Sequence, residues 1–326
     1  MSRNGSPQSP VTKLRAFGMD IEADFKMTGA MPSRHVGDGR SLSLVLASRE
    51  QVELGFPPDA ERIAELTRDS GDLLVSVDSG GDEGYLAYAF DFGRARLAPD
   101  GRTALIAPFE EPTWIWQRYL TGQLLPLAGL LQGFEVFHAC VLGHEGRAIA
   151  VVANSGIGKT TTAMHLSLRG LDFMSDDVLV LEPLDNGVRA HPGVSLANLR
   201  PGNDDLLAAL ESAGLAEPIG TDPRGTRLSI RRSDVPLPLS ALFVLNRFVD
   251  ERELKVEHLT PVEPRVLLAA TFNFSVKTPE RLARQLDVCS RVDRHVSVFR
   301  VSCGIGVTAA DVAEAILEWA VESSPC

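Results

Sequence analysis

The chain has 326 residues, of which 44% are hydrophobic and 23% are charged, and its formal net charge at pH 7 is −11. Single hydrophobic cores usually stop growing at about 250–300 residues, so this length allows two domains of ordinary size. The acidic residues are spread along the chain, which excludes a basic surface for nucleic acid or for an anionic membrane and requires nucleotide phosphates to be met locally.

The cysteines and the apolar segments predict the compartment. Cys140, Cys289, Cys303 and Cys326 form no CxxC pair and have no histidine partners at zinc-ligand spacing. Scattered thiols are typical of a reducing cytoplasm. The N-terminal MSRNGSPQSP lacks the apolar core of a signal peptide, and the longest apolar stretch, residues 119–134, falls short of a membrane span. We therefore expect a cytoplasmic protein that does not cross a membrane.

The first part of the chain predicts a β-rich domain. Residues 1–12 are rich in Ser, Pro, Asn and Gln, a composition typical of a disordered tail. Residues 58–70, PDAERIAELTRDS, are predicted as a helix with Ile63 and Leu66 on one face. Short β-like runs with turns between them predict strands at 41–47, 72–77, 84–92 and 102–108. Together with a helical segment from about residue 112, these form a predicted N-terminal domain, residues 13–130, without a visible catalytic constellation.

The pattern changes in the second part, residues 131–326. Two strand-like runs, EVFHACVLG and GRAIAVVAN, are joined by the turn HEG. A helix is predicted for residues 159–169, ending at Gly170, and an apolar run at 177–183 precedes a hairpin with Asn186-Gly187 at its turn. The segment 308–324 predicts an amphipathic helix.

The segment from Ala153 to Thr160, ANSGIGKT, matches the P-loop spacing G-x-x-x-x-G-K-[ST] with Ala in place of the first Gly. Its glycines allow backbone N–H groups to surround phosphate oxygens, and the following helix directs its N-terminal dipole toward them. Lys159 would neutralise the β- and γ-oxygens, and the Thr160 hydroxyl would ligate Mg²⁺. A junction that only happens to contain Gly-Lys-Thr is disfavoured by the apolar run before it and the helix after it. The predicted nucleotide-binding residues are Asn154, Ser155, Gly156, Ile157, Gly158, Lys159, Thr160 and Thr161.

Two adjacent acids, Asp176 and Asp177, come directly before a β-like run. Mg²⁺ beside Thr160 needs a carboxylate, commonly at the end of a neighbouring strand. Two carboxylates beside a metal can divide the work, one holding the ion and the other accepting the proton of an attacking hydroxyl. By themselves they would indicate a polar turn, and the upstream P-loop favours the functional interpretation. His138 by itself is more typical of a structural histidine, and His144, in the turn GHEGR, is assigned no role.

Together these elements resemble the HPr kinase/phosphorylase family and its relatives, P-loop proteins whose nucleotide fold is similar to phosphoenolpyruvate carboxykinase. The resemblance depends on His138-Ala139, on NSGIGKT followed by TAMHLSLRG, on SDD ending at Asp177, and on the two intervals from His138 to Lys159 and from Lys159 to Asp176. It implies an α/β (α+β) fold in which residues 131–326 form a P-loop kinase domain with a mixed β-sheet and flanking helices, preceded by the smaller β-rich domain. It also implies ATP and Mg²⁺ as cofactors.

The resemblance implies roles for single residues. Asp176 would be the general base toward a substrate hydroxyl, Asp177 would hold Mg²⁺ with Thr160, and the two aspartates could exchange these roles. His138 would lie near the transferred phosphoryl group, which makes His138, Lys159 and Asp176 the predicted catalytic residues. An electrophilic arginine is expected near the γ-phosphate. The candidates are Arg200, Arg227, Arg231, Arg232 and Arg247, of which Arg200 and Arg247 are favoured because each follows a strand-like run.

The sequence defines the group that receives the phosphoryl group less well than it defines the nucleotide site. Residues 227–247 lack the Glu-Ile-Arg-Gly motif of HPr kinases proper, and AHPGVSLANLRPG with PLSALFVLNR is more similar to the kinases of lasso-peptide gene clusters. In those kinases the acceptor is a serine hydroxyl at the C-terminus of a precursor peptide. The resemblance therefore implies an ATP- and Mg²⁺-dependent kinase acting on a Ser or Thr hydroxyl of a protein or peptide. A small-molecule phosphotransferase of the same fold and a non-catalytic nucleotide-binding regulator remain alternatives, and a homo-oligomer is left open.

Overall fold

The computed structural model describes residues 12–29, 39–109, 113–248, 253–272 and 276–322. The chain divides into two compact units, one of Met1–Gln132 with Phe274–Val276 and one of Gly133–Asn273 with Lys277–Cys326. The predicted disordered tail, residues 1–12, lies outside the described residues except for Thr12, at which the first strand begins. Both units combine helices with sheets of mixed strand direction, so the expected mixed α/β class is confirmed.

The first unit contains one eight-stranded sheet in the order β1-β2-β3-β8-β7-β6-β5-β4. Its strands are β1 (Thr12–Ala16), β2 (Met19–Ala23), β3 (Ser41–Leu46), β4 (Glu61–Thr67), β5 (Leu73–Ser79), β6 (Tyr85–Ala89), β7 (Gly93–Leu97) and β8 (Thr103–Pro108). Its helices are α1 (Arg49–Glu53), α2 (Thr113–Tyr119) and α3 (Leu125–Leu131), the last two joined by a π-helical turn at Leu120–Leu124. Strand β3 pairs in parallel with β2 and β8, and the other neighbours are antiparallel. The four predicted strands are confirmed as β3, β5, β6 and β8.

The helix predicted for residues 58–70 is wrong, because this segment contains strand β4. Strand β4 lies at the edge of the sheet and pairs antiparallel with β5, and Arg62 forms an ion pair across the two strands with Asp78. The segment has good helix formers, but its apolar Leu66 remains 57% exposed. A helix with so small an apolar face would bury little, so the hydrogen bonds of the strand pair outweigh local propensity.

The second unit has strands β9 (Glu135–Phe137), β10 (Ala139–His144), β11 (Arg147–Ala153), β12 (Asp172–Ser175), β13 (Leu179–Leu184), β14 (Gly187–His191), β15 (Leu196–Leu199), β16 (Ala216–Asp222), β17 (Gly225–Ile230), β18 (Leu237–Arg247), β19 (Leu254–His258) and β20 (Ser297–Cys303). Its helices are α4 (Lys159–Leu168), α5 (Asp204–Ser212), α6 (Pro264–Ala270), α7 (Pro279–His295) and α8 (Ala309–Glu322). The predicted helices at 159–169 and 308–324 are thus confirmed as α4 and α8.

The long strand β18 connects two sets of strands in this unit. One set runs β12-β10-β11-β18-β20-β19, and in it β11, β18 and β20 are parallel. The other set runs β9-β13-β14-β18 and is antiparallel. A small third sheet has the order β15-β17-β16. The carboxyl ends of the parallel strands β11 and β18 therefore lie side by side, and the loop that leads into α4 starts from this edge.

Apolar side chains of β11 alternate between two cores. Ile149 and Val151 belong to a core that includes residues of α4 and α8, whereas Ala150 and Val152 belong to a core that includes residues of α6 and α7. A strand that is buried on both faces is typical of the centre of a helix-covered sheet. Strand β11 thus provides a rigid base for the loop at its carboxyl end. Among the described residues, no helix is long and apolar enough to cross a membrane.

Cys289, a free thiol on α7, gives this unit an expected pH dependence of stability. Burial, with a contribution from the charge of Glu135, raises the pKa of this thiol from 9.0 to about 11. The unfolded thiol ionises at lower pH than the folded one, so its stabilising contribution is complete below about pH 9 and is lost as the pH rises to about 11. We expect Cys289→Ala to reduce the fall in the free energy of unfolding over this range by about 2 kcal/mol. Urea unfolding at a series of pH values measures the free energy of unfolding. An equal dependence of that free energy on pH in the variant and the wild type would contradict the prediction.

Candidate functional site

The loop formed by residues 154–158 connects the carboxyl end of β11 to the first residue of α4, Lys159. Gly156 and Gly158 have φ angles of +91° and +112°, in the left-handed region that favours glycine. The N–H groups in the first turn of a helix have no partners within the helix, so they are available to a ligand at its N-terminus. The local geometry is therefore that of a strand, a glycine loop and a helix able to surround an anion.

Most of the predicted site residues line one cavity of about 360 Å³, which lies entirely within the second unit. The lining residues are His138, Asn154, Ser155, Gly156, Gly158, Lys159, Thr160, Thr161, Asp177, Asn198, Arg200, Pro201 and Asn203. Two predicted residues are not among them. Ile157 instead packs against the core beside α4 and α8, and Asp176 contacts the cavity wall through Thr160.

The acidic pair lies in a tight turn between β12 and β13. The N–H of Val178 donates to the carbonyl of Asp176 at 2.8 Å, and Asp177 between them has a φ of +61°. A bond from residue i+2 to residue i with a positive central φ is the pattern of a γ-turn, which is rare and strained for a residue other than glycine. The turn directs the two neighbouring carboxylates to different partners.

Asp177 forms an ion pair with Lys159. The Lys159 side chain is 6% exposed and that of Asp177 is 51% exposed, so the carboxylate faces the cavity while the ammonium is enclosed. Burial by itself lowers the pKa of Lys159, but the acidic groups around it, Cys140, Asp177 and Asp176, outweigh burial and raise it. Burial by itself raises the pKa of Asp177, but the charge and the hydrogen bond of Lys159, with the nearby charge of Arg227, together outweigh burial and lower that pKa. Both groups are therefore charged at neutral pH.

Asp176 accepts hydrogen bonds from three groups. The Thr160 hydroxyl and the Cys140 thiol each donate to its Oδ1 at 2.8 Å, and the backbone N–H of Asn198 donates to Oδ2 at 3.2 Å. Burial, and then the charge of Asp177, raise the pKa of Asp176. Burial and the same carboxylates also raise the pKa of Cys140, so its sulfur is a neutral thiol. These contacts fix Asp176 against Thr160 in the first turn of α4.

His138 lies at the one-residue break between β9 and β10. Its Nδ1 is 2.9 Å from the carbonyl oxygen of Asp177, and its ring packs edge-on against Phe272 with centroids 5.7 Å apart. A carbonyl only accepts, so Nδ1 carries the proton in this contact and Nε2 of the neutral ring remains an acceptor. Burial, and then the charge of Lys159, lower the pKa of His138 from its ordinary 6.5, so the ring is neutral at pH 7.

Both His138 and the acidic pair lie where the chain passes from one set of strands to the other. Strand β9 pairs with β13, whereas β10 pairs with β11 and β12. The chain therefore crosses between the sets at His138 and again between β12 and β13, at residues 176–178. The run EVFHACVLG, predicted as one strand, is thus two strands. Crossing points free these residues from strand pairing and allow their side chains to meet the glycine loop.

Of the candidate arginines, Arg200 is the one that lines the cavity. Its guanidinium donates to the Ser155 hydroxyl at 3.0 Å. The guanidinium of Arg247 donates to the carbonyl of Val307, and that of Arg232 donates to the carbonyl of Ser233. Arg231 and Arg232 line a different cavity, beside α4 and β12, and Arg227 is buried and lines neither cavity.

The sequence patterns did not predict four residues of the site. Cys140 and Asn198 contact Asp176, and Pro201 and Asn203 line the cavity. Cys140 is the second residue of β10 and follows the interruption at His138, so strand alternation did not indicate its place in the site. No local signal marks Asn198, because its contact depends on how β15 packs.

The acidic pair and Cys140 form a cluster whose potential ligand atoms lie within 4.8 Å of one another. With the Thr160 hydroxyl, the two carboxylates supply hard oxygen donors, which suit Mg²⁺. The neutral Cys140 thiol is a soft donor that Mg²⁺ does not prefer. The residues present therefore fit a Mg²⁺ site built on oxygen atoms.

No family model matches the chain, and no curated protein matches it. One similar solved structure is the HPr(Ser) kinase/phosphatase from Coxiella burnetii, which aligns with 58% of this chain and 97% of that chain at 10% identity. The TM-score is 0.31. These values are too low to decide family, fold or function, so the proposed function depends on the geometry of the site.

Proposed function

We propose that the chain is a kinase that uses ATP and Mg²⁺ to phosphorylate a Ser or Thr hydroxyl of a protein or peptide. One observation carries the proposal: a single cavity is lined by the glycine loop with Lys159, by the half-exposed carboxylate of Asp177 and by His138. Phosphoryl transfer depends mainly on positioning and charge neutralisation. A phosphate cradle, metal-binding oxygens and a carboxylate facing the same space are the groups that it needs.

The triphosphate would be held by the glycine loop and two cations. The loop N–H groups and the start of α4 favour phosphate oxygens. Lys159 would contact the β- and γ-oxygens, sharing its ammonium between phosphate and Asp177. Arg200, bonded to Ser155 of the same loop, adds a second positive charge at the cavity. These contacts support binding of a nucleoside triphosphate in a chain whose net charge is −11.

The contacts of the two aspartates favour an exchange of the roles first predicted for them. Asp176 accepts from the Thr160 hydroxyl, and Thr160 lines the cavity, so these two residues would hold Mg²⁺ at its wall. When bound, Mg²⁺ neutralises charge on the β- and γ-phosphates. Asp177 lines the cavity with its side chain half exposed, which suits a base that accepts the proton of the attacking hydroxyl.

His138 would position that base. Its Nδ1–H donates to the carbonyl of Asp177, at the strained point of the γ-turn. This contact links the ring to the backbone that presents the Asp177 carboxylate. The other ring nitrogen, Nε2, carries no proton and is suited to accept a hydrogen bond from the substrate hydroxyl that receives the phosphoryl group.

Two alternative functions share nucleotide binding and differ in the fate of the phosphoryl group. A small-molecule phosphotransferase would use the same groups with a different acceptor. A non-catalytic regulator would bind the nucleotide without transfer, and the presence of Lys159, Thr160, Asp176 and Asp177 together argues against it, because a decayed site would lose at least one of them.

Label transfer from γ-labelled ATP distinguishes these functions. The chain is incubated with ATP, Mg²⁺ and peptides that differ only in carrying Ser, Thr or Ala at one position. We expect label on the Ser or Thr peptide, none on the Ala peptide, and loss of transfer in Lys159→Ala. Label on small hydroxyl compounds but on no peptide would favour the small-molecule phosphotransferase. ATP binding with no transfer to any acceptor would favour the regulator and contradict the kinase.

A further inference from the structure

A second cavity, of about 400 Å³, borders the nucleotide site. The two cavities share His138 and Asn154 as lining residues. The remaining lining residues are Val152, Ala153, Val244, Leu245, Asn246, Leu259, Arg265, Val266, Ala269, Ala270 and Arg300. We call this cavity the acceptor groove. Its volume lies in the range of about 300–1,000 Å³ that is typical of ligand pockets.

The acceptor groove lies at the carboxyl ends of the parallel strands, where ligands commonly bind in sheets of this kind. Val152 of β11 and Val244 of β18 form part of its floor, and Arg300 comes from β20. Val266 and Ala269 of α6 form the opposite wall. All these elements belong to the second unit.

The position of His138 places the acceptor groove at the γ-phosphate end of the nucleotide site. His138 contacts Asp177, and Asp177 contacts Lys159, the residue that would reach the β- and γ-phosphates. Thr161, Arg200 and Asn203, in contrast, line the nucleotide cavity and not the groove. A group in the acceptor groove would therefore approach the terminal phosphate past His138 and Asp177.

The lining combines an apolar floor with positive charge. Val152, Val244 and Leu259 contribute apolar surface, and the groove carries the guanidinium groups of Arg265 and Arg300. Among the described lining residues there is no Asp or Glu, in a chain with 43 acidic and 32 basic residues. The charged side chains of the lining are thus both cations, each with one acidic neighbour outside the lining, Glu263 for Arg265 and Glu257 for Arg300. Such a lining favours an anionic ligand that can replace those neighbours.

Both arginines of the groove can form ion pairs with an anionic ligand. Arg265 has an 83% exposed side chain and pairs with Glu263, an exposed ion pair of the kind that contributes little and is easily exchanged. Arg300 is half-buried between the core residues Phe299 and Val301, opposite Glu257 of β19. The planar guanidinium groups match a carboxylate, which can accept two parallel hydrogen bonds.

We propose that the acceptor groove binds the peptide segment next to the phosphorylated hydroxyl, and that it selects an apolar side chain followed by a carboxylate. The inference rests on the kinase function proposed above and specifies its substrate. The carboxylate is either an Asp or Glu side chain or the C-terminus of the peptide, since the two groups have the same chemistry.

Four peptides test the proposal. All share acetyl-Gly-Ser-Leu and end in Asp-amide, Gly with a free carboxylate, Gly-amide or Lys-amide. Their affinities for the intact chain are measured by calorimetry with Mg²⁺ and a non-hydrolysable ATP analogue present. We expect at least one carboxylate peptide to bind ten or more times as tightly as the neutral and Lys peptides, on the order of 1.4 kcal/mol. Which carboxylate peptide binds more tightly identifies the source of the carboxylate.

Matched substitutions separate charge from shape. Ala269 lines the groove and is exposed on α6, so a larger side chain can replace it without disturbing the core. Glu and Lys have similar size and helix propensity and differ in charge. We expect Ala269→Glu to abolish the preference for the carboxylate peptide and Ala269→Lys to strengthen it. Arg300→Ala should also reduce the preference, by about tenfold, and Arg300→Lys should retain part of it.

Each outcome decides the proposal. Absence of peptide binding, equal binding of all four peptides, or equal effects of Ala269→Glu and Ala269→Lys would overturn it. Binding of the ATP analogue by the wild-type chain is measured in the same experiment. Failure of that binding would contradict the kinase function itself, whereas nucleotide binding without peptide selection would overturn only the inference about the groove.

Discussion

Replacing Lys159 with Ala is expected to weaken the binding of ATP with Mg²⁺ by at least about 100-fold, which corresponds to about 2.8 kcal/mol. The side chain of Lys159 is enclosed, lines the cavity beside the glycine loop and forms an ion pair with Asp177. Its loss removes the charge that would face the β- and γ-oxygens and also leaves Asp177 without its ion-pair partner. Calorimetric titration with ATP measures the effect.

Two controls accompany this variant. Lys159→Met keeps the apolar stem of the side chain and removes only the charge, so it separates loss of the cation from loss of packing. Lys255→Ala removes a lysine of β19 that is 65% exposed and paired with Glu257, outside the cavity. We expect the Lys159→Met variant to bind ATP as weakly as the Lys159→Ala variant, and the Lys255→Ala variant to bind ATP like the wild type. ATP binding by Lys159→Met at wild-type affinity would show that the lysine charge does not contact phosphate.

The second large effect is expected for Asp177→Asn, which should lower the rate of phosphoryl transfer by about 10²–10⁴-fold, the usual contribution of a general base. Asn tolerates a positive φ, so the γ-turn at this position can persist. ATP should still bind, because Lys159 and the glycine loop are unchanged. Label transfer at saturating ATP measures the rate.

Asp176→Asn should act differently, because Asp176 contacts Thr160 rather than the open cavity. We expect it to raise the Mg²⁺ concentration needed for half-maximal transfer, whereas Asp177→Asn should leave that concentration unchanged. Asp172→Asn, the same substitution on an exposed position of β12, is the matched control. The opposite pattern, a magnesium effect in Asp177→Asn and a rate effect in Asp176→Asn, would restore the roles that the sequence resemblance implies.

The glycine loop was predictable because its geometry is local. The glycine pattern, the apolar strand before it and the helix beginning at Lys159 all lie within one continuous segment, and the structure has them in the predicted order. The acidic pair was predictable as a pair for the same reason, since it stands directly before the apolar run that forms β13. Sequence spacing alone could not assign a role to each aspartate. Because Asp177 has a positive φ, its side chain meets Lys159 while that of Asp176 meets Thr160.

Other features depend on tertiary pairing. The strand is interrupted at His138 because β9 and β10 pair with different strands. An alternating pattern such as EVFHACVLG does not encode a change of the paired strand. Strand β4 was mistaken for a helix because its stability comes from pairing with β5 rather than from its own residues. Helix α1, in contrast, has a local signal in the sequence. Ser48 accepts from the N–H of Gln51 and the Gln51 side chain accepts from the N–H of Ser48, a capping box that the spacing Ser-x-x-Gln indicates.

The most direct test of the site needs no knowledge of the acceptor. The intact chain is titrated calorimetrically with ATP, in Mg²⁺ and again in a chelator, with AMP as the nucleotide that lacks the β- and γ-phosphates. We expect one saturable site for ATP, at least tenfold weaker binding without Mg²⁺, and no competition by AMP, because the loop, Lys159 and the Thr160–Asp176 pair would contact the β- and γ-phosphates and the metal. Absence of saturable ATP binding, or binding that neither Mg²⁺ nor the terminal phosphates affect, would contradict a phosphoryl-transfer site in this cavity.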